Sequence, residues 1–591
     1  MTYAYTFRYT PDPALDADTE AQILAIPGVR RGYGRHAGSY TAPLNGAWIL
    51  ERALADRGLM FWAQAPALPA PVTWADVRAA LETQGEIAPW VYDFATPYQQ
   101  EDVAWCATRP GAHLWWVAGS GKTLGLILWL LLHPGPCVVV TKAATRGQWA
   151  AEVRRFSTVR PYVITPAAQR RKGHLDLAAY VAEERAAGRR PFVILGWEAL
   201  PANVAELQAA LGIGYHVGFD EAHKGKATKR RKATLQPDGT YTYEDLDNVA
   251  TAAAKLARGA ARRMATTATP VKDRVRDLWG QLDLVEPGAY GSFTAFARRY
   301  CDAKPGAFGG TDTTGSSRMD ELVGRLGFVT RKRSFRETHR NLPPKRRQSW
   351  YIPFSEQNRG WSTTKLNTEL RRAAARGPSA ILEVRLAAAA AAKRDAVVDA
   401  VVDALHAGQK IVVFDGRTEN VDAMEAAIRK ATARMDPSPR VWAAYGAGSG
   451  PHKTTPETRE AIRAEYMAHP GPCVLLGTGD AWGTGYNLHD TDLAIFAMLP
   501  WTGGDLHQWE GRFSRQGQKR PVLILFPICE QSADTHVANI LINKLPAMER
   551  IADDTETAAA HAALAGTDDK EAIAASILDV IANIDYSATD D

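Results

Sequence analysis

The chain has 591 residues, too many for one hydrophobic core, so about two to four packed units are expected. Hydrophobic residues at 46% and charged residues at 23% fit a folded chain and exclude a fibrous repeat or long disorder. With 70 Lys and Arg against 65 Asp and Glu, a formal charge of +5, any nucleic-acid contact has to come from local basic patches and not from global charge.

In chain order, the N-terminal MTYAYTFRYTPDP has no basic-then-apolar signal, and the longest apolar run, Leu124 to Leu132, is far too short to span a bilayer. A soluble, cytoplasmic protein is expected. Residues 1–90 read as a small α+β accessory module. Within 91–290, apolar strand-like runs fall at Leu114 to Ala118, Cys137 to Thr141, Tyr162 to Thr165, Phe192 to Leu195, His216 to Asp220 and Arg263 to Thr267, separated by amphipathic stretches. Residues 291–395 read as a helical spacer, broken by a Gly-rich stretch at 305–317 and a turn at 342–345. Within 396–550 the runs return at Lys410 to Asp415, Val441 to Tyr445, Cys473 to Gly477, Leu493 to Leu499 and Val522 to Phe526. Runs this apolar suit strands covered by helices on both faces. The expected fold is therefore α/β, two doubly wound parallel sheets with helical insertions. Residues 551–591 are Ala-rich and acidic and read as a helix or tail. The five cysteines, Cys106, Cys137, Cys301, Cys473 and Cys529, are scattered without a C-x-x-C pair, which argues against a disulfide framework and a structural zinc site.

After the strand LWWVA comes Gly119, Ser120, Gly121, Lys122 and Thr123, then an apolar helix pattern. A Gly-rich turn between a strand and a helix start aims backbone N–H groups at phosphate, with Lys122 reaching the terminal phosphates and Thr123 offering a hydroxyl to Mg²⁺. Trp116 stands where the full pattern has its leading glycine. Further on, YHVGF runs into Asp220, Glu221, Ala222 and His223. A carboxylate at a strand end beside a phosphate loop can hold Mg²⁺, and its neighbour can deprotonate a water, so Asp220 is the expected metal residue with Thr123, and Glu221 the base. ATP hydrolysis is the leading expectation, with ATP and Mg²⁺ as cofactors.

With these motifs the chain resembles superfamily-2 helicase-like ATPases, and more narrowly the Swi/Snf-type DNA translocases. PYQQEDVAW resembles their Q motif, which implies Gln99 at the adenine edge. VVVTKAATRGQWAAEVRRF resembles motif Ia, with Gln148, Trp149 and Glu152 in the family pattern, FVILGWEAL motif Ib, and TTATPVKD motif III, with Asp273 where the family has Asn. KIVVFDGR resembles motif IV. GTGDAWGTGYNLHD resembles motif V through Ala481, Gly483, Gly485, Asn487 and Leu488. QWEGRFSRQGQ resembles motif VI, with Gln508, Arg512, Arg515, Gly517 and Gln518, and implies that Arg512 and Arg515 stabilise transition-state charge at the γ-phosphate. FARRYCDAK, ELVGRLGFVTRKR and NLPPKRR are similar to the annealing-helicase branch, and residues 26–54 to the small recognition module ahead of its motor.

The resemblance implies two RecA-like lobes and a DNA-stimulated ATPase that translocates on duplex, forked or branched DNA, as a monomer without membrane contact. The implied catalytic set is Lys122, Asp220, Glu221, Arg512 and Arg515; the nucleotide set is Gln99, Gly119, Ser120, Gly121, Lys122, Thr123, Gly485 and Gln508. The nucleic-acid set is Lys142, Gln148, Trp149, Asn487 and the basic run Lys229, Arg230, Arg231 and Lys232, on an insertion that also carries Tyr241 and Tyr243. Two alternatives stand beside it: a superfamily-2 RNA helicase, and an ATP-gated clamp on branched DNA that barely turns over. Ala- and Arg-rich usage points to a bacterial or phage protein, acting in the bacterial cell or infected host.

Overall fold

The computed structural model describes residues 6–12, 14–64, 69–165, 176–226, 231–235, 241–245, 248–306, 310–338, 342–354, 360–446, 450–483, 486–515 and 517–552. The chain divides into two compact units that part between Ser334 and Phe335. Among the described residues no helix is long and apolar enough to cross a membrane.

The first unit opens with a four-stranded antiparallel sheet of β1 (Thr6–Asp12), β2 (Arg30–Arg31), β3 (Tyr40–Pro43) and β4 (Met60–Gln64), in the order β2-β3-β1-β4. Side chains alternate across a strand. Phe7 and Tyr9 therefore face the helices Ala17–Leu24 and Leu44–Ala55, burying Ile23, Ile26, Tyr40, Leu50 and Leu54 with them. This module is seated on the rest of the unit by Arg325, which is fully buried. Its guanidinium donates to the Pro27 carbonyl (3.1 Å), the Asn45 Oδ1 (2.7 Å), the Ala289 carbonyl (2.8 Å) and the Tyr300 hydroxyl (3.1 Å), and lies 4.3 Å over the Tyr290 ring. Gly28, at φ +92°, permits this approach, because a Cβ there would sit 2.0 Å from the Ala289 carbonyl oxygen.

Glu286 closes the same junction, accepting a hydrogen bond from Asn45 Nδ2 at 2.5 Å. Burial pushes its carboxyl up to about 7 against the pull of Asn45, Arg325 and Arg263. The folded chain thus holds a proton that the unfolded chain has released between about pH 4.5 and 7, so this group's contribution to stability falls as pH rises through that window. Glu286→Gln keeps the acceptor and removes the titration. Its melting temperature is expected to match the parent near pH 5 and exceed it at pH 8, by an amount equivalent to at most about 3 kcal/mol. Thermal melts of both proteins across that range check it, and a difference independent of pH would assign the proton elsewhere.

The main sheet of the first unit contains β5 (Gly111–Trp116), β6 (Cys137–Thr141), β7 (Pro161–Val163), β8 (Phe192–Gly196), β9 (His216–Asp220), β12 (Arg262–Thr266) and β15 (Thr330–Arg333), all parallel, in the order β15-β5-β12-β9-β6-β8-β7. Two hairpins lie outside it, β10 (Arg231–Leu235) with β11 (Tyr241–Asp245) and β13 (Lys304–Pro305) with β14 (Thr311–Asp312). Alternate residues of single strands feed opposite cores. Val139 and Ile194 pack with the helices Pro97–Ala107 and Lys122–Leu132, while Val138, Val140, Val193 and Leu195 pack with Leu177–Ala186 and Leu200–Leu211. This explains the unbroken apolar runs.

The second unit repeats the plan with β16 (Lys345–Ile352), β17 (Lys410–Asp415), β18 (Arg440–Ala444), β19 (Cys473–Thr478), β20 (Leu493–Phe496) and β21 (Val522–Cys529), parallel and ordered β16-β21-β20-β17-β19-β18. Both units are RecA-like doubly wound sheets. One difference from expectation concerns 291–395: it is not wholly helical, because β15 and β16 lie in it and each forms the outer strand of its sheet. Their sequences, TRKR and KRRQSWYI, are basic where central strands are apolar, so no hydrophobic run announced them. The expected tail at 551–591 falls, beyond Ala552, outside the described residues.

Candidate nucleotide-binding site

Ligands of open parallel sheets sit at the C-terminal ends of the strands. In the first unit β5 leads there into the turn 117–121 and the helix Lys122–Leu132. Gly119 (φ +80°) and Gly121 (φ +75°) take left-handed conformations, and no side chain caps the helix N-terminus, so its first N–H groups face the turn. Lys122 Nζ donates to the carbonyls of Trp116 and Val117, both at 2.9 Å, and Ser120 Oγ to that of Val117 at 2.7 Å. From beneath, Tyr98 Oη and Gln99 Nε2 donate to the Ser120 carbonyl (2.6 and 3.2 Å), and Gln99 also reaches that of Gly121 at 3.3 Å. Trp116 is fully buried and donates through Nε1 to Asp102 at 2.8 Å. It braces the strand where the usual pattern has glycine, and Gly125 makes room for its ring, since a Cβ there would meet it at 2.9 Å.

Asp220 ends β9. Its Oδ2 accepts from Thr141 Oγ1 (2.8 Å) and Trp149 Nε1 (2.9 Å), and its Oδ1 from Thr266 Oγ1 (3.0 Å). Burial and the neighbouring Glu221 charge raise its carboxyl above the usual range. Glu221 follows at φ +54°, a left-handed backbone that costs a non-glycine residue about 1–3 kcal/mol. That turn aims Oε1 at Lys142 Nζ, 3.1 Å away, and Oε2 at His223 Nδ1, 3.4 Å away. Burial would raise the Glu221 carboxyl, but Lys142, His223 and Lys122 outweigh it and hold it at about 2. Burial pushes His223 down to about 4, and its Nδ1 also meets Thr267 Oγ1 (3.1 Å) and Thr269 Oγ1 (3.3 Å), joining the carboxylate to the segment after β12.

In the second unit the helix Gly503–Glu510 carries Gln508 and leads to Arg512 and Arg515. Arg512 is buried, with Nε on the Gln508 carbonyl at 3.0 Å; Arg515 Nε donates to the Gly511 carbonyl at 2.6 Å and its Nη1 to Asn487 Oδ1. Trp509 wedges against Phe414 and Phe496, and Gly479 and Gly483 admit it, since a Cβ on either would lie 2.0–2.1 Å from its ring. Glu510, fully buried, is gripped by Arg347 (2.7 and 2.8 Å) and Lys345 (3.2 Å) of β16, and despite burial these cations hold its carboxyl far below the usual range. At the C-terminal ends of β17 to β20, an open groove of about 950 Å³ is lined by Arg417, Thr418, Arg459, Thr478, Asp480 and Trp501, among others.

Residues 98–397 match the SNF2-related domain. The chain belongs to the SNF2-related family. Among its relatives, the SWI/SNF-related matrix-associated actin-dependent regulator of chromatin subfamily A-like protein 1 of Xenopus tropicalis is 25% identical over 473 residues, 76% of this chain and 44% of the relative. The human DNA annealing helicase and endonuclease ZRANB3 is 24% identical over 471 residues, 76% of this chain and 39% of the relative. The chain thus covers less than half the length of these relatives. The SWI2/SNF2 ATPase core of Sulfolobus solfataricus in complex with dsDNA aligns at 18% identity and a TM-score of 0.34, over 78% of this chain and 90% of that one.

In this SNF2-related chain the structure gathers Gly119, Ser120, Gly121, Lys122, Thr123, Asp220 and Glu221 at one crest of strand ends. Gln99 donates through its amide to the loop carbonyls and so braces the glycine turn from beneath. Trp149 is buried, with its Nε1 donating to Asp220. Lys142 pairs with Glu221, and Asn487 with Arg515, while Gln148 is exposed on the helix Arg146–Phe156. Gly485, Lys229 and Arg230 lie outside the described residues; Arg231 and Lys232 open the hairpin strand β10. Arg333 and Arg347 stand out in the sequence only as members of basic runs, and Asp102 and Glu510 do not stand out at all; only the crossing of distant segments reveals the pairs they form.

Proposed function

We propose that this chain is an ATP-driven DNA translocase of the annealing-helicase branch, a monomer acting on duplex, forked or branched DNA in a bacterial or phage-infected cytoplasm. One observation carries the proposal: a glycine turn holding Lys122 and the pair Asp220–Glu221 lie at the C-terminal ends of β5 and β9, the two strands that flank β12 in one sheet, beside a segment, 141–149, that contacts both carboxylates. Hard oxygen donors suit Mg²⁺, which binds through one or two protein oxygens plus substrate phosphates. The Thr123 hydroxyl and Asp220 fit that need, and Asp220 Oδ1, with one hydrogen bond, retains a lone pair for it. Bound there, the ion would neutralise charge on the β- and γ-phosphates. Lys122 binds those phosphates, the loop N–H groups orient them, and Glu221 takes the proton of the water whose oxygen attacks the γ-phosphorus as the bond to the bridging oxygen of ADP breaks. Arg512 and Arg515 are the proposed transition-state cations. The groove around Arg417, Thr418 and Thr478 is the proposed backbone track of the second unit. Residues 1–90 are proposed to read fork structure. Because Arg325 and Glu286 seat on that module, deleting it would strip partners from buried charges, so its role is better tested by exposed residues such as Trp62.

ATPase rates without polymer and with single-stranded, duplex and forked DNA and RNA test the function. Duplex and forked DNA are expected to stimulate, and binding to weaken steeply from roughly 50 to 200 mM salt as phosphate contacts release counterions. Stimulation by RNA alone, or DNA binding indifferent to salt, would overturn it.

A further inference from the structure

Lys142 and Glu221 meet for a topological reason. β6 and β9 are parallel neighbours with Val140 opposite Phe219, so each residue, two positions on, leaves its strand end at the same level. The left-handed turn at Glu221 then brings its Oε1 to the ammonium at 3.1 Å, both side chains 21% exposed. The same short stretch holds the neighbouring carboxylate, through Thr141 and Trp149 on Asp220, and Thr145 Oγ1 links Thr141 Oγ1 (2.9 Å) to the Lys142 carbonyl (3.0 Å). Lys142 opens the loop 142–145, whose Ala143 and Ala144 are exposed and small, leaving approach to the ammonium from solvent. A lysine is a compact point charge on a flexible stem. Its single positive charge can balance the carboxylate or a backbone phosphate arriving at this loop, but not both at once.

We propose that Lys142 is the positioning residue that couples nucleic acid to hydrolysis: its ammonium restrains the Glu221 carboxylate until a backbone phosphate draws it away, which frees Oε1 to accept the proton of the attacking water. The proposal rests on the function proposed above, and adds that polymer stimulation passes through this one ion pair. It makes Lys142 a brake on the base, where a purely structural residue would be a support for it.

Lys142→Met keeps the aliphatic stem and removes the charge. Polymer-free kcat is expected to rise at least about fivefold, the lower end of ordinary coupling between linked sites, with KM for ATP little changed and stimulation by duplex DNA reduced toward unity. Lys142→Arg, which keeps the charge, is expected to retain a low polymer-free rate. Independently, the slope of log affinity for duplex DNA against log salt is expected to flatten by about 0.9, the loss of one phosphate contact. A polymer-free rate that stays the same or falls in Lys142→Met, or an unchanged salt slope, overturns the proposal. Absence of DNA stimulation in the parent protein is a separate result, and removes the underlying function itself.

Discussion

Lys122→Ala is expected to lower ATP turnover by at least about 10²- to 10³-fold, the loss on removing one preorganised donor to developing charge, while the protein remains folded. The side chain begins a helix and its ammonium rests on the carbonyls of Trp116 and Val117, so the variant forfeits those polar contacts at the mouth of the site and no packed apolar volume. Each such loss costs about 0.5–3 kcal/mol. The turn itself is braced from beneath by Tyr98 and Gln99, which the substitution does not touch. A thermal melt close to the parent together with collapsed turnover therefore separates chemistry from folding. Normal turnover in the folded variant would remove the glycine turn from the site.

The alternation of apolar residues made most of both sheets legible. β6, β9 and β17 begin and end at the residues read from the sequence, because strands covered on both faces can carry little besides Val, Ile, Leu and Phe. β5 was read late: its first residues, Gly111, Ala112 and His113, are buried but do not form an apolar run, and Val117 and Ala118 belong to the phosphate turn. The motifs whose chemistry depends on local spacing were equally legible, since a glycine turn or an adjacent Asp–Glu pair is contiguous in sequence. The contacts of Trp149 and Gln99 were not, because they depend on what lies above each in space, Asp220 for one and the loop carbonyls for the other.

β15 and β16 went unread for one shared reason, and it bears on function. Each is an outer strand, open on one edge, and each carries basic residues that clamp a buried carboxylate on a motif-bearing helix. In the first unit Arg333 (2.7 and 2.9 Å) grips Asp102, below the phosphate strand; in the second, Lys345 and Arg347 grip Glu510, beside the arginine segment. Breaking such a buried pair by removing one partner costs about 3–5 kcal/mol, because the other charge is left uncompensated. The basic residues of these two outer strands are thus what hold each motif helix against its sheet.

Arg515→Ala is expected to lose about 10³- to 10⁵-fold in kcat, the range for arginine fingers, with nucleotide affinity nearly unchanged. The two arginines of this segment are not equivalent. Arg512 is buried with its Nε on the helix, so Arg512→Ala is expected to lower the melting temperature along with turnover. Arg515 bonds Asn487 and the Gly511 carbonyl at a more exposed position, so its removal spares the packed core of Trp509, Phe414 and Phe496. Glu510, held by β16, fixes where the segment starts, and that rigidity is what gives a guanidinium its value, since a preorganised charge needs no reorganisation when the phosphoryl group moves. Single-turnover hydrolysis alongside equilibrium nucleotide binding measures the two effects separately. A loss confined to binding would make Arg515 a ground-state contact, and a loss of stability equal to that of Arg512→Ala would make it part of the fold.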